Sequence, residues 1–178
     1  MDALLLSAGL GSRLRPYTDN WPKCLMPISG RPLIDYWLVN LKISGFDRVF
    51  VNTHWKHKVV ENYLRGNDFG LEIVLLHEPK LLGTAGTIRS LNKFRDPGAI
   101  LLVHADNFCD IDLIELSLFH NSHSASISMV TFESDTPEEC GVVVKDKSNL
   151  VTEFHEKVSN PPSNQANAAV YMINPTVI

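Results

Sequence analysis

A glycine turn with cations close behind it stands near the start of the chain. The turn is Ser7-Ala8-Gly9-Leu10-Gly11-Ser12, and Arg13, Arg15 and Lys23 follow. Glycine lets backbone approach a ligand closely, and the N–H groups of such a turn can point at an anion. The cations would neutralise its charge. Together these residue types could hold a polyphosphate. An ordinary strand turn with surface arginines has the same composition. The pattern is not the dinucleotide fingerprint, because Leu14 stands where a third glycine belongs. The Gly-Lys-Ser/Thr of the other phosphate loop is absent.

Further along, Asp106 ends an apolar run, L-L-V-H-A-D-N. A carboxylate at a strand's carboxyl end could ligate Mg²⁺, which prefers oxygen donors and takes one or two carboxylates plus substrate phosphates. It could equally cap the next turn. Glu78 begins E-P-K-L-L-G-T-A-G-T. Small residues there, Gly83, Thr84 and Gly86, would let a base lie flat against backbone, or simply open a helix capped by Thr84. Gly141 reads as a strand bulge. Glu156-Lys157 at a strand end is otherwise a solvated pair. The pairs His54/His57 and His120/His123 read as loop and helix-end residues, since no cysteine or third histidine is in metal-site register.

The elements that must position these groups follow from periodicity. Strands are expected at Ala3 to Leu6, Arg48 to Asn52, Leu71 to His77 and Ala99 to His104. Helices are expected at Leu33 to Ser44 after Pro32, Lys56 to Arg65, Thr84 to Phe94 and Asp112 to Asn121. Asp96-Pro97-Gly98 reads as a turn. The rhythm then changes to strands alone: Ala125 to Phe132, Gly141 to Lys145, Leu150 to His155 and Ala168 to Ile173, with a hairpin turn at Asp146 to Asn149. Alternation followed by antiparallel strands makes an α/β fold with a mixed sheet, its ligands at the carboxyl ends of the strands. That predicts one rim shared by the glycine loop, His77-Glu78, Ala105-Asp106 and Glu156-Lys157.

Composition narrows the classes. The chain has 178 residues, which suits a single domain. Its net charge of −4 argues against a general nucleic-acid binder. No apolar stretch suits a membrane span, and no signal segment is legible. Cys24, Cys109 and Cys140 are odd in number and widely spaced, which fits free thiols in a cytoplasmic protein.

The whole string S-A-G-L-G-S-R-L-R-P-Y-T, then P-K-C-L-M-P, then G-R-P-L-I-D resembles the signature of the sugar-phosphate nucleotidyltransferases, the NDP-sugar pyrophosphorylases. L-G-T-A-G is similar to the members that join guanine nucleotides to mannose-type sugars. The resemblance implies a three-layer α/β/α Rossmann-like domain with a mainly parallel central sheet. It implies a nucleoside triphosphate and a sugar 1-phosphate as partners, best GTP with mannose 1-phosphate, Mg²⁺ as cofactor, and room for a homo-oligomer.

It also implies roles. Ser7, Ala8, Gly9, Gly11, Ser12, Arg13, Lys23, Glu78, Gly83, Thr84 and Gly86 would bind the nucleotide. Arg13, Lys23 and Asp106 would be catalytic, with Asp106 on the metal. Gly141, Glu156, Lys157 and Asn167 would bind the sugar phosphate. Ala105, Val158 and Ala169 depart from the family's G-D, E-K-P and N-x-G-x-Y. Members also carry a second metal aspartate downstream of that last motif, so the 178-residue domain is expected to lack its C-terminal portion. Alternatives are a UTP- or dTTP-dependent enzyme, a non-catalytic binding module, or transfer to a phosphorylated amino alcohol.

Overall fold

The apolar run after Met1 forms strand β1 (Asp2–Leu6), buried along nearly its whole length. A computed structural model describes residues 1–91 and 98–177. The loop after β1 is pinned by short 3-10 turns at Ser12–Leu14, Tyr17–Asp19 and Lys23–Leu25. A two-residue ribbon follows, β2 (Pro27–Ile28) with β3 (Arg31–Pro32). Helix α1 (Leu33–Ile43) buries Leu33, Ile34, Trp37, Leu38 and Leu41 on one face. That i, i+4 stripe is what drives an amphipathic helix onto a sheet. Pro32 precedes the helix in extended conformation.

The remaining elements are β4 (Arg48–Thr53), α2 (His57–Arg65), β5 (Glu72–His77), α3 (Gly83–Ser90), β6 (Ile100–His104) and α4 (Leu113–Asn121). Lys56 does not begin α2 as the periodicity predicts. It is the cap residue, in left-handed conformation with φ 52°. Asp112 caps α4, accepting from Ile114 N at 2.8 Å and Glu115 N at 2.9 Å. The expected end of the third helix beyond Leu91 and the Asp96-Pro97 turn lie outside the described residues.

These elements belong to the larger of two compact units, Met1–Ser128 plus the residues from Met172 on. Its strands run β5-β4-β1-β6, all parallel. Register is in step: Leu6 lies between Asn52 and His104, and Asn52 is opposite Leu76. All four carboxyl ends therefore open on the same edge. At the opposite edge Arg48 clamps Asp2, Nη2 to Oδ2 at 2.6 Å and Nε to Oδ1 at 3.1 Å. The core is filled by fully buried Leu4, Leu5, Val49, Val51, Leu101 and Val103 from the strands, and Ile34, Leu38 and Leu41 from α1.

The smaller unit, Met129–Tyr171, contains antiparallel strand pairs. It contains most of β7 (Ile127–Glu133), then β8 (Gly141–Lys145), β9 (Val151–Glu156) and most of β10 (Gln165–Ile173). Its strands follow β9-β8-β10-β7. Asp146 organises the β8–β9 turn, its Oδ1 accepting from Ser148 N at 2.8 Å and Leu150 N at 3.0 Å.

Strand β10 begins three residues before the expected Ala168, and Ala169 within it has φ 56°. That left-handed conformation costs an L-residue roughly 1–2 kcal/mol. Ala169→Gly should therefore stabilise the protein by about 0.5–1 kcal/mol, after the greater flexibility of glycine in the unfolded chain is subtracted. Urea melts of the two proteins check this, and a less stable glycine variant would contradict it.

Candidate active site

The end of β1 sets the site. Beyond Leu6 the chain turns out of the sheet, and Gly11 adopts φ 64° to start the first 3-10 turn. A Cβ there would meet Thr18 Cγ2 at 2.9 Å. Thr18 is buried and donates Oγ1–H to Gly11 O at 2.7 Å. Gly11 is thus required by the loop's own packing. Gly9 is different, because a Cβ there would meet nothing within 4 Å. Its bareness serves no internal contact.

Lys23, in the third 3-10 turn, reaches back under this loop. Its Nζ lies 2.6 Å from Asp106 Oδ2. The parallel ladder continues one residue past β6, with Ala105 N donating to Leu6 O at 3.0 Å. That places Asp106 directly beside the glycine loop. Ala105, where the family has glycine, has its methyl fully buried and does not border the cavity described next.

A cavity of ≈ 670 Å³ opens at this edge. The loop from Ser7 to Arg13 borders it, together with Lys23, Asp106, Glu78, Gly83 and Thr84. The residues expected to meet a triphosphate are therefore brought together. Gly86 is not among its lining residues. Gly86 faces Leu82 instead, where a Cβ would come within 2.9 Å of that side chain's own Cβ.

Two expected contacts have their polar groups engaged within the protein. Ser7 donates its N–H to Asn52 Oδ1 at 2.7 Å and its hydroxyl proton to Asn52 O. Glu78 is only 4% exposed. Its Oε1 accepts from Asn52 Nδ2 at 3.0 Å and from the Thr87 hydroxyl, and its Oε2 accepts from Leu82 N at 3.0 Å. Residue type and position suggested Glu78, but not that it organises the loop after β5. Asn52 and Thr87 also border the cavity and were not singled out from the sequence. The available signal for Asn52 was a polar residue closing the apolar strand R-V-F-V-N.

His104 and Cys24 line the same cavity. Burial holds the His104 imidazole below its usual range, against the pull of the Asp106 carboxylate and with help from Lys23. Burial also pushes the Cys24 thiol up to about 12, despite a Ser7 contact that favours the thiolate. Only thiolates alkylate readily. Iodoacetamide at about pH 8.5 should modify Cys24 last of the three cysteines, read by peptide mass mapping. Cys24 modified as fast as half-buried Cys109 would contradict this. Unfolding above about pH 9 releases the Cys24 proton, so stability contributed by this group falls as pH rises from 9 towards 12.

The sugar-phosphate candidates lie in the smaller unit. Gly141 opens β8 directly opposite Glu156, the last residue of β9. A Cβ on Gly141 would meet Glu156 Oε2 at 2.6 Å and Phe154 Cζ at 2.7 Å. Lys157 follows with φ 51°, its N–H donating to Cys140 O at 3.0 Å. Asn167 Oδ1 accepts from Ala169 N at 2.9 Å, and its Nδ2 donates to Tyr171 Oη at 2.6 Å. It thereby holds the left-handed turn at Ala169.

The histidine pairs have structural partners. His54 Nδ1 contacts Glu78 O at 2.7 Å, and His57 stacks on His77 with centroids 4.1 Å apart. Buried His120 bridges Ser128 Oγ and Asn174 Oδ1 at 2.8 and 3.0 Å. Among the described residues no three His, Cys, Asp or Glu side chains cluster as a metal site. No described helix is long and apolar enough to cross a membrane.

A family model described as nucleotidyl transferase matches residues 2–178. The chain belongs to the nucleotidyl transferase family. Among its similar relatives are a mannose-1-phosphate guanyltransferase of Pichia angusta, 32% identical over all of this chain and 50% of that protein, and a mannose-1-phosphate guanylyltransferase of Mycobacterium tuberculosis, 33% identical over all of this chain and 50% of that one. The chain thus spans about half the length of the curated relatives it matches. Its nucleotidyl transferase fold is close to that of HddC from Yersinia pseudotuberculosis complexed with GMP-PN. The TM-score is 0.83 at 21% identity, over 99% of this chain and 78% of that one. The α/β architecture read from strand–helix alternation is therefore the family's.

Proposed function

We propose that the chain carries the nucleotide-binding and catalytic groups of a sugar-1-phosphate nucleotidyltransferase. A nucleoside triphosphate and a sugar 1-phosphate would give an NDP-sugar and pyrophosphate. The observation that supports this best is the shared cavity, where the bare Ser7–Arg13 loop, Lys23 and Asp106 meet at the carboxyl ends of β1 and β6. Parallel α/β sheets bind ligands at that edge, and amides plus cations suit a polyphosphate.

An oxygen of the sugar phosphate attacks the α-phosphorus in line. The α–β anhydride bond breaks, and pyrophosphate leaves with its electron pair. No protein nucleophile is needed, so catalysis is positioning plus charge stabilisation. Arg13 lies along the triphosphate and Lys23 bridges phosphates near the point of attack. Gly141, Glu156, Lys157 and Asn167 are assigned to the sugar phosphate.

Asp106 fits a magnesium ligand, being a cavity-facing carboxylate with Lys23 as its side-chain partner, whereas the Glu78 oxygens already accept three protein donors. Bound Mg²⁺ supplies charge neutralisation on the phosphate oxygens. Thr84 and Gly83, both exposed on the cavity, would meet the base in this reading.

GTP with mannose 1-phosphate is the favoured pair, supported by the relatives' names and the L-G-T-A-G stretch. The test is pyrophosphate release with Mg²⁺, each nucleoside triphosphate and a panel of sugar 1-phosphates. Release with GTP and mannose 1-phosphate is expected. Release only with UTP or dTTP would move the base assignment. Nucleotide binding with no release in any pairing would replace the enzyme with a binding module.

A further inference from the structure

We propose that Asn52 is a positioning residue that holds the phosphate-facing loop and the base-facing loop at one fixed separation; this rests on the nucleotide reading above. Asn52 closes β4, which lies between β1 and β5 in the sheet. The two loops that follow β1 and β5 therefore leave on either side of it.

Its side chain is 4% exposed and bonded in both directions. Oδ1 accepts from Ser7 N at 2.7 Å, at the root of the glycine loop. Nδ2 donates to Glu78 Oε1 at 3.0 Å and lies 3.3 Å from Thr87 Oγ1. Glu78 in turn accepts from Leu82 N, the residue before Gly83. One amide thus joins a donor on one loop to an acceptor on the other. Asparagine can do this because its amide presents the acceptor and the donor on separate atoms. Leaving any of these buried polar groups unmatched is costly.

The geometry matters because a nucleotide spans both loops. Its phosphates meet the residues after Ser7 and its base meets those around Gly83. A ligand that bridges two elements binds best when their spacing is already set. Asn52 touches neither end of the ligand in this scheme. Of the side chains bonded to it among the described residues, Glu78 is the titratable one, and His54 meets Glu78 through the latter's carbonyl oxygen.

Asn52→Asp tests this with almost no change of shape. The new carboxyl still accepts from Ser7 N, but toward Glu78 it has a donor only when protonated. Two carboxyls sharing one site hold a proton well above the ordinary range. Calorimetry of Mg·GTP binding is compared for both proteins at about pH 6 and about pH 8.5. The variant-to-wild-type ratio of dissociation constants should rise by about tenfold between the two, as the proton leaves and the carboxylates repel. Inorganic tripolyphosphate, which meets one loop only, should show a ratio that changes less than about twofold.

A ratio flat with pH for GTP, or an equal change for tripolyphosphate, overturns the role of Asn52. Wild-type protein that binds no nucleoside triphosphate overturns the reading beneath it and the inference with it. Should the aspartate variant fail to fold, Thr87→Val decides. It removes the other hydrogen bond to Glu78 Oε1 and should weaken GTP about fivefold, and unchanged affinity overturns the proposal.

Discussion

Lys23→Ala should lower turnover about a hundredfold or more, with the protein still folded. The magnitude is that of removing one positioned charge donor from a site where charge develops. Folding is spared because the Lys23–Asp106 pair is not deeply buried. The two side chains are 28% and 35% exposed, and such pairs contribute about 1 kcal/mol or less. The loss is therefore chemical. It should appear in the rate of pyrophosphate release at saturating substrates, with thermal unfolding nearly unchanged. Full turnover by the alanine variant would remove Lys23 from the mechanism.

Substitutions at the two loop glycines should part company. Gly11→Ala puts a Cβ at φ 64° and 2.9 Å from Thr18 Cγ2, with Lys23 Cβ 3.4 Å away. Backbone strain and overpacking together should cost about 2–3 kcal/mol of stability. The same change disturbs Thr18 Oγ1 and Leu14 N, which bond Gly11 O at 2.7 and 2.9 Å. Arg13 sits between those anchors, so nucleotide affinity falls as well. Gly9→Ala meets no atom within 4 Å and should leave stability within about 0.5 kcal/mol. Its methyl would still occupy the space where the triphosphate approaches, so the dissociation constant for Mg·GTP should rise about tenfold. Urea melts and calorimetry on both variants separate the two effects. A Gly9→Ala protein binding GTP normally would show that the loop's bareness is not for phosphate.

Much of the larger unit was legible because its signals are strong and local. Apolar runs of five or six residues bounded by glycine, proline or charge became β1, β4, β5 and β6 within a residue or so of the expected ends. Leu33, Trp37, Leu38 and Leu41 marked the buried face of α1. The three 3-10 turns and the β2–β3 ribbon carried no such signal. They are set by backbone bonds such as Leu33 N to Met26 O, and by Tyr36 Oη donating to Ile28 O at 2.8 Å. Periodicity cannot register a two-residue strand.

At the site, Gly9, Gly11, Arg13, Lys23 and Asp106 were recognisable because residue type announces their chemistry. Asn52 was not. Its importance comes from register, since a polar side chain opposite Leu6 and Leu76 is forced between two loops. That relation exists only once β4 is known to lie between β1 and β5. Ser7 and Glu78 show the converse, because their types suggest ligand contacts while buried hydrogen bonds already occupy them.

The most direct test of the central claim is a crystal structure of the protein with Mg²⁺ and GTP. The triphosphate should lie against the backbone of Gly9 to Gly11, with Arg13 and Lys23 on its oxygens and Asp106 beside the metal. A triphosphate bound elsewhere, with the Lys23–Asp106 pair untouched, would contradict the account.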